Sequence, residues 1–264
     1  MALRRILTAA AAAVLLLSTM NLTRAAELPA QQTDNSAGAA ASPAPAWAGF
    51  YAGLFAGYGW GQSQSTAPYD SNSGYYYNWT GNSYPVNTNG FPGGGILGAN
   101  WQSGPLVFGF EGEIGYMQLK GSAADPNFEP GTVPITDTIT RVESDAYTAV
   151  FGRLGIAAGD VLLYGKGGMA FLRAEASTID PCANAAGCGT TTLTMKGNKA
   201  LAGWSAGGGI EWLFRPRWSA RVEYVHYDFG SMDIAGPSSV AGERYRQSID
   251  PNAHAVRIGL SYRF

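Results

Sequence analysis

The chain has 264 residues, 17 Lys and Arg against 19 Asp and Glu, and a formal net charge of −2 at pH 7. Only 14% of its residues are charged, against roughly 25% in a soluble domain, and the absence of a basic excess excludes the electrostatic footprint of a nucleic-acid partner. No continuous apolar run reaches the roughly 18 residues a spanning helix needs, so any membrane crossing falls to strands, which span lipid only as closed barrels.

Residues 1–25 read as a secretory signal: Arg4 and Arg5 charge the start, Ile6 to Leu17 is an apolar core too short to span, and Thr23 and Ala25 suit cleavage before Ala26. Losing Arg4, Arg5 and Arg24 takes the 17 basic residues to 14 against 19 acidic ones, net −5. Residues 26–46 are dominated by Ala, Pro and Ser with no apolar period, which reads as a flexible tether.

At Trp47 the pattern changes to strict alternation, the mark of a strand. Strand one opens there and sets Phe50, Ala52, Leu54, Ala56, Tyr58 and Trp60 against Tyr51, Gly53, Phe55, Gly57 and Gly59. Strand two covers about 94–102, with Leu97, Ala99 and Trp101 on one face. Strand three sets Leu106, Phe108, Phe110, Ile114 and Tyr116 against Val107, Gly109, Glu111, Glu113 and Gly115. Strands four (145–157) and five (161–173) turn Arg153 and Lys166 to the Gly-rich face. Strand six (201–214) puts Trp204, Ile210 and Trp212 opposite Ser205 and Glu211, and strand seven (218–227) puts Val222 and Tyr224 opposite Arg221 and Glu223. The last strand, Ala253 to Phe264, sets Val256, Ile258, Leu260, Tyr262 and Phe264 against Arg257, Gly259, Ser261 and Arg263.

Tight connections (102–105, 157–160, 215–217) alternate with long polar ones (61–93, 118–144, 174–200, 228–252), which are expected to be loops. Short turns at one end and long loops at the other are the habit of transmembrane barrels. The alternative, a soluble eight-stranded sandwich or barrel, would show the Gly-rich face to water, and that face carries too few charges to solubilise a surface. The expected fold is therefore all-β: an eight-stranded antiparallel transmembrane up-and-down β-barrel over residues 47–264, monomeric, with the apolar face toward lipid. Aromatics near strand ends (Trp60, Trp101, Tyr116, Trp212, Trp218, Tyr224, Phe264) sit where interfacial girdles belong.

Both ends of this region carry a resemblance. The opening W-x-G-F-Y-x-G-x-x-x-G-Y-G-W, paired with the closing alternation that ends on Phe264, resembles alphaproteobacterial outer-membrane barrels of the Omp25/Omp31 type. The resemblance implies an outer-membrane location, contact with outer-membrane lipid and lipopolysaccharide, and a C-terminal signal at Tyr262 and Phe264 read by the barrel-assembly machinery. It also implies an Ala26–Glu27 start of the kind that some relatives join covalently to peptidoglycan; an ordinary mature end is the equal alternative.

Glu111, Glu113, Glu211 and Glu223 share one parity with Arg153, Lys166, Arg221 and Arg257. At about eight strands side chains just fill a barrel, and unpaired charge in a narrow dry interior costs several kcal/mol per ion, so these eight are expected to form an ion-paired plug. The expected role is structural: stabilising the envelope and presenting surface loops, with no enzyme activity and no cofactor. A narrow porin for small solutes is the competing reading. Cys182 and Cys188, six positions apart, read as a disulfide clip.

Other motifs are weaker. Gly203-Trp204-Ser205-Ala206-Gly207 matches a nucleophile elbow, with Asp250 and His254 following in hydrolase order, but the Ser lies mid-strand with no helix after it; a lipid-acting enzyme is a minor alternative. Gly93 to Gly98 matches G-x-G-x-x-G but enters a strand. Gly165-Lys166-Gly167 lacks the P-loop spacing. His226 and His254 near loop-one tyrosines (Tyr69, Tyr75, Tyr76, Tyr77, Tyr84) could ligate haem, but two surface histidines beside a girdle are the preferred reading.

Overall fold

The computed structural model describes residues 46–66, 83–126, 138–181, 192–237 and 244–264. Among them the regular structure is entirely strand, in one antiparallel sheet. The strands are β1 (Gly49–Thr66), β2 (Ser83–Gly90), β3 (Gly93–Ser103), β4 (Leu106–Tyr116), β5 (Lys120–Ala124), β6 (Ile139–Ala158), β7 (Val161–Asp180), β8 (Leu193–Arg215), β9 (Trp218–Asp228), β10 (Met232–Pro237) and β11 (Arg244–Arg263). Eight of them, in the order β1-β3-β4-β6-β7-β8-β9-β11, form a ring that closes where β11 pairs with β1, from Tyr51↔Arg263 to Thr66↔Ser248. Closure removes the sheet edges that lipid cannot satisfy.

The ring hairpins are tight at one end, here the turn end. Gly104 and Gly159 adopt φ of +57° and +60°, the left-handed backbone that a two-residue hairpin needs at its first central position and that glycine adopts freely. Trp47, expected to open the first strand, instead lies in a turn before β1. Its indole is fully buried, because it folds into the ring's mouth rather than along its wall.

The staves are longer than a bilayer requires. About ten tilted residues cross the apolar band of an outer-membrane barrel, while β6 and β7 have 20 residues each and β8 has 23. The segments expected to be long polar loops are therefore corrected: β1 runs to Thr66, β6 begins at Ile139, β7 runs to Asp180, β8 begins at Leu193 and β11 at Arg244. Three further strands complete this upper wall. β2 pairs with the end of β1, β5 with β6, and β10 with β11. They continue the staves of β3, β4 and β9 after breaks at Phe91–Pro92, Met117–Leu119 and Phe229–Ser231. Gln118 (φ +51°) and Gly230 (φ +67°) make two of these breaks, and β6 answers with a bulge between Ser144 and Tyr147.

Two regions result, a belt at the turn end and a crown above it. On the belt Phe50, Leu54, Leu97, Phe110, Leu163 and Ile258 point outward and are exposed, while charged residues point in and are buried. In the crown the pattern reverses. Val86, Val142, Met195, Ile234 and Ile249 are buried inside, and Gln64, Arg141, Glu175, Lys196 and Asp250 lie on the outer wall. The loop expectation failed for this reason: alternation continues through these segments, but polar and apolar exchange faces, so they read as polar.

Candidate functional site

The ring's interior is filled in layers. At the turn end Trp47 packs with Val107, Leu162, Tyr164 and Leu213. Its backbone N–H donates to Gln102 Oε1 at 3.0 Å and its indole Nε1–H to the Gly159 carbonyl at 3.1 Å. Arg263 reaches up from β11, donating to the Trp47 carbonyl at 2.6 Å and stacking its guanidinium 4.5 Å over the indole. This cork closes the turn-end mouth.

The next layer brings together the eight charged residues expected to pair, Glu111, Glu113, Glu211, Glu223, Arg153, Lys166, Arg221 and Arg257. Lys166 Nζ contacts Glu111 at 2.8 Å, Glu113 at 2.7 Å and Glu223 at 3.2 Å. Arg257 grips Glu113 with both arms (2.8 and 2.7 Å) and Glu223 with one (2.6 Å). Arg221 meets Glu111 at 2.6 Å, and Arg153 reaches Glu211 at 2.8 Å and Glu111 at 3.3 Å. Their side chains are at most 3% exposed. Bidentate geometry and saturation of the carboxylate lone pairs are what let such a cluster withstand the loss of hydration.

Several partners were not singled out from the sequence. Phenols complete the carboxylates: Tyr51 donates to Glu111 at 2.8 Å, Tyr147 to Glu113 at 2.7 Å, and Tyr164 to Glu223. Ser219 donates to Glu211 at 2.6 Å, and Arg263 approaches Glu211 at 3.3 Å as a fifth cation against four glutamates. Rings also cover the cations, with Tyr164 3.9 Å from Arg153, Phe55 4.3 Å from Arg257 and Phe151 4.4 Å from Lys166. The usable signal was the inward parity that these residues share with the charges. Glycines make the room: a Cβ at Gly98 would sit 2.3 Å from the Tyr51 ring, and one at Gly259 2.9 Å from Arg221.

Above the charges Phe55, Tyr147, Phe151, Tyr227 and Phe229 begin a continuous apolar fill that runs up the crown. Near its top a closed circuit of hydrogen bonds joins Tyr84 to Thr140 (2.8 Å), Thr140 to Thr178 (2.7 Å), Thr178 to Gln247 (2.5 Å) and Gln247 back to Tyr84 (3.0 Å). Burial pushes the Tyr84 phenol above its ordinary value. A gap bounded by Ser63, Thr88, Leu172 and Phe229 amounts to about 10 Å³, no more than one water occupies. A larger depression of about 540 Å³, bounded by Phe108, Phe110, Gly152, Leu154, Gly165 and Gly167, follows the outward wall and not the interior.

Other sequence candidates fall in separate places. Ser205 is buried facing inward, whereas Asp250 is exposed and His254 half-buried on the outer wall, so the wall separates the would-be triad. Tyr84 is buried inside the crown and cannot join His226 and His254, which meet each other on the outer wall. Tyr69, Tyr75, Tyr76 and Tyr77, Cys182 and Cys188, and Ala26 and Glu27 lie outside the described residues. At the C-terminus Phe264 is exposed, its N–H donating to the Phe50 carbonyl at 3.0 Å and its ring 5.4 Å from Tyr262. All seven girdle aromatics are exposed, in two rims.

Residues 35–264 match the family model described as outer membrane protein beta-barrel domain. The 31 kDa outer-membrane immunogenic protein of Brucella melitensis is 28% identical over 221 residues, covering 83% of this chain and 84% of that protein. The 22 kDa outer membrane protein of Rhizobium leguminosarum bv. viciae is 24% identical over 222 residues, covering 84% of this chain and 80% of the relative. Among solved structures, the outer membrane protein OprG of Pseudomonas aeruginosa aligns with 82% of this chain and 97% of its own, at 10% identity and a TM-score of 0.43.

Proposed function

Because the chain belongs to the outer-membrane β-barrel family and is thus a protein of the bacterial outer membrane, we propose that it is a structural barrel, stabilising the envelope and presenting its loop-end surface outside, rather than a pore or an enzyme. The observation that carries this reading is the interior: a Trp47 cork, a cross-linked charged layer and an apolar crown lie one above another along the barrel axis among the described residues. An ion entering would have to break several buried pairs, each costing several kcal/mol. The balanced signs of the layer also differ from the like-charged rings that select ions.

In this reading residues 1–25 are removed as a signal, residues 26–46 tether the barrel, and Ala26 with Glu27 joins it to peptidoglycan. Phe264 and Tyr262 present their rings at the turn end for the assembly machinery, and lipid and lipopolysaccharide surround the belt. The turn-end mouth, where Trp47 anchors the start of the barrel, is where such a tether would leave. Planar-bilayer recording of purified monomer tests the plug: no stable unitary steps are expected, and reproducible ones would make it a narrow porin. Muropeptide mass spectrometry tests the tether independently; walls free of any Ala26-bearing adduct would remove that part alone.

A further inference from the structure

The outer wall carries a cluster that the plug does not use. His226 on β9 and His254 on β11 are directly opposed in the ladder, at the level where the apolar belt meets the crown. Their ring centroids are 4.6 Å apart and their Nδ1 atoms 3.3 Å apart. Tyr224 brings its hydroxyl to 2.7 Å from His254 Nδ1. Two Nδ1 atoms facing each other need one of the rings to carry its proton there, since two lone pairs at this distance repel.

That separation is also the bite of a chelate. Two imidazole nitrogens about 2.0–2.1 Å from a tetrahedral ion stand about 3.3–3.4 Å apart. The rings are held in this pose from both sides, by Trp60 stacked on His254 at 5.8 Å and 20° and by Trp204 against His226 at 5.1 Å. Preorganisation of this kind is what a metal site asks of its supporting shell.

The surrounding charge selects the sign of the ligand. Asp228 follows His226 by two residues on the same wall, and Asp250 and Asp233 lie on the neighbouring strands β11 and β10. Asp228 and Asp233 act on Asp250, whose carboxyl burial and then these two neighbours push up from its ordinary value. Asp228, the carboxylate nearest the pair on this wall, disfavours a phosphate there and favours a cation. Among the described residues no three His, Cys, Asp or Glu side chains converge on one point, so the set is two nitrogens with the Tyr224 oxygen, open on its outer side.

We propose that His226 and His254, with Tyr224 beside them, form a binding site for a divalent transition ion, Zn²⁺ or Cu²⁺, on the outward wall where belt meets crown. Imidazole suits these ions, whereas Mg²⁺ and Ca²⁺ prefer all-oxygen shells. Binding moves the shared proton from Nδ1 to Nε2 of its ring, so both Nδ1 lone pairs meet the ion. Trp60 and Trp204 then report occupancy directly.

The test uses the full folded chain in detergent micelles, titrated with Zn²⁺, Cu²⁺ or Mg²⁺ against a chromophoric chelator, with tryptophan quenching by Cu²⁺ as a second readout. The expected result is one site per chain that prefers Cu²⁺ over Zn²⁺ and ignores Mg²⁺. His226→Ala and His254→Ala should each weaken it by ~10-fold or more, and Asp228→Asn by less. Heat-modifiable gel mobility checks that each variant still folds. Equal binding by the folded His226→Ala/His254→Ala double variant, or displacement of Zn²⁺ by equimolar Mg²⁺, would overturn the proposal.

Discussion

The belt and the crown are built from the same staves, yet they are inside out with respect to each other. β11 shows this along a single strand. In the belt Val256, Ile258 and Leu260 face out and Arg257 faces in; in the crown Asp250 and Asn252 face out and Ile249, Ala253 and Ala255 face in. The backbone alternation is continuous through both. What changes is the solvent outside. Lipid offers no hydrogen bonds, so the belt sends its polar groups inward and must cross-link them there. Water rewards the ordinary arrangement, so the crown buries apolar groups as any soluble barrel would. A barrel wall therefore reports its surroundings through which parity is greasy, level by level.

This contrast can be broken most severely at the charged layer. Arg257→Met should leave Glu113 without its bidentate partner and Glu223 without one of its cations and cost about 3–5 kcal/mol, as removal of one partner of a buried ion pair does; urea unfolding of the barrel in lipid vesicles reads it. The matching lesion in the crown is Ile249→Ala, a cavity among fully buried apolar neighbours worth about 2–5 kcal/mol. Its effect should be confined to faster proteolysis of the crown, with the belt keeping its heat-modifiable mobility. Loss of belt mobility in that variant would mean that the two levels are one cooperative unit.

The outer faces give the sharper pair. Ile258→Arg places a charge on the belt's exposed wall and should cost about 2–4 kcal/mol if that wall meets the bilayer midplane. Asn252→Arg, on the same face of the same strand, should change stability by about 0.5 kcal/mol or less. The same contrast predicts that a water-soluble thiol reagent labels Asn252→Cys but spares Ile258→Cys and Leu260→Cys in intact membranes. Labelling of all three alike would erase the boundary between belt and crown.

The smallest effect concerns Asp250. Its carboxyl is raised in the folded chain, by burial first and by Asp228 and Asp233 next. Ionising it therefore costs the folded state, a cost absent below the ordinary Asp range and incurred as pH rises through the raised value. Asp250→Asn should stabilise the crown slightly at neutral pH and not at acid pH, by about 0.5 kcal/mol or less because water screens this site. Thermal scans at the two pH values compare them.

The eight belt strands were legible because a long run of one parity, such as Val256, Ile258 and Leu260 against Arg257 and Arg263, is hard to mistake. The crown was not, because Tyr84, Val86 and Thr88 alternate with Pro85, Asn87 and Asn89, a pattern in which polar residues and turn formers mask the strand. Similarly, the eight paired charges stand out by type, whereas Tyr51, Tyr164 and Ser219 join them only by position, and a phenol or hydroxyl carries no sign of whom it will meet. Trp47 read as the first residue of a strand because nothing local distinguishes a cork from a wall.

By itself the sequence determined the sheet class, the number of belt strands, the face that each belt side chain takes and the family. Those follow from period-two geometry and side-chain polarity, both local properties of the chain. Only the tertiary structure decided that Lys166 sits between three glutamates contributed by two other strands and that Trp47 closes the mouth. Ring closure sets those meetings, since the stagger between distant staves depends on every pairing around the barrel and on none of them alone.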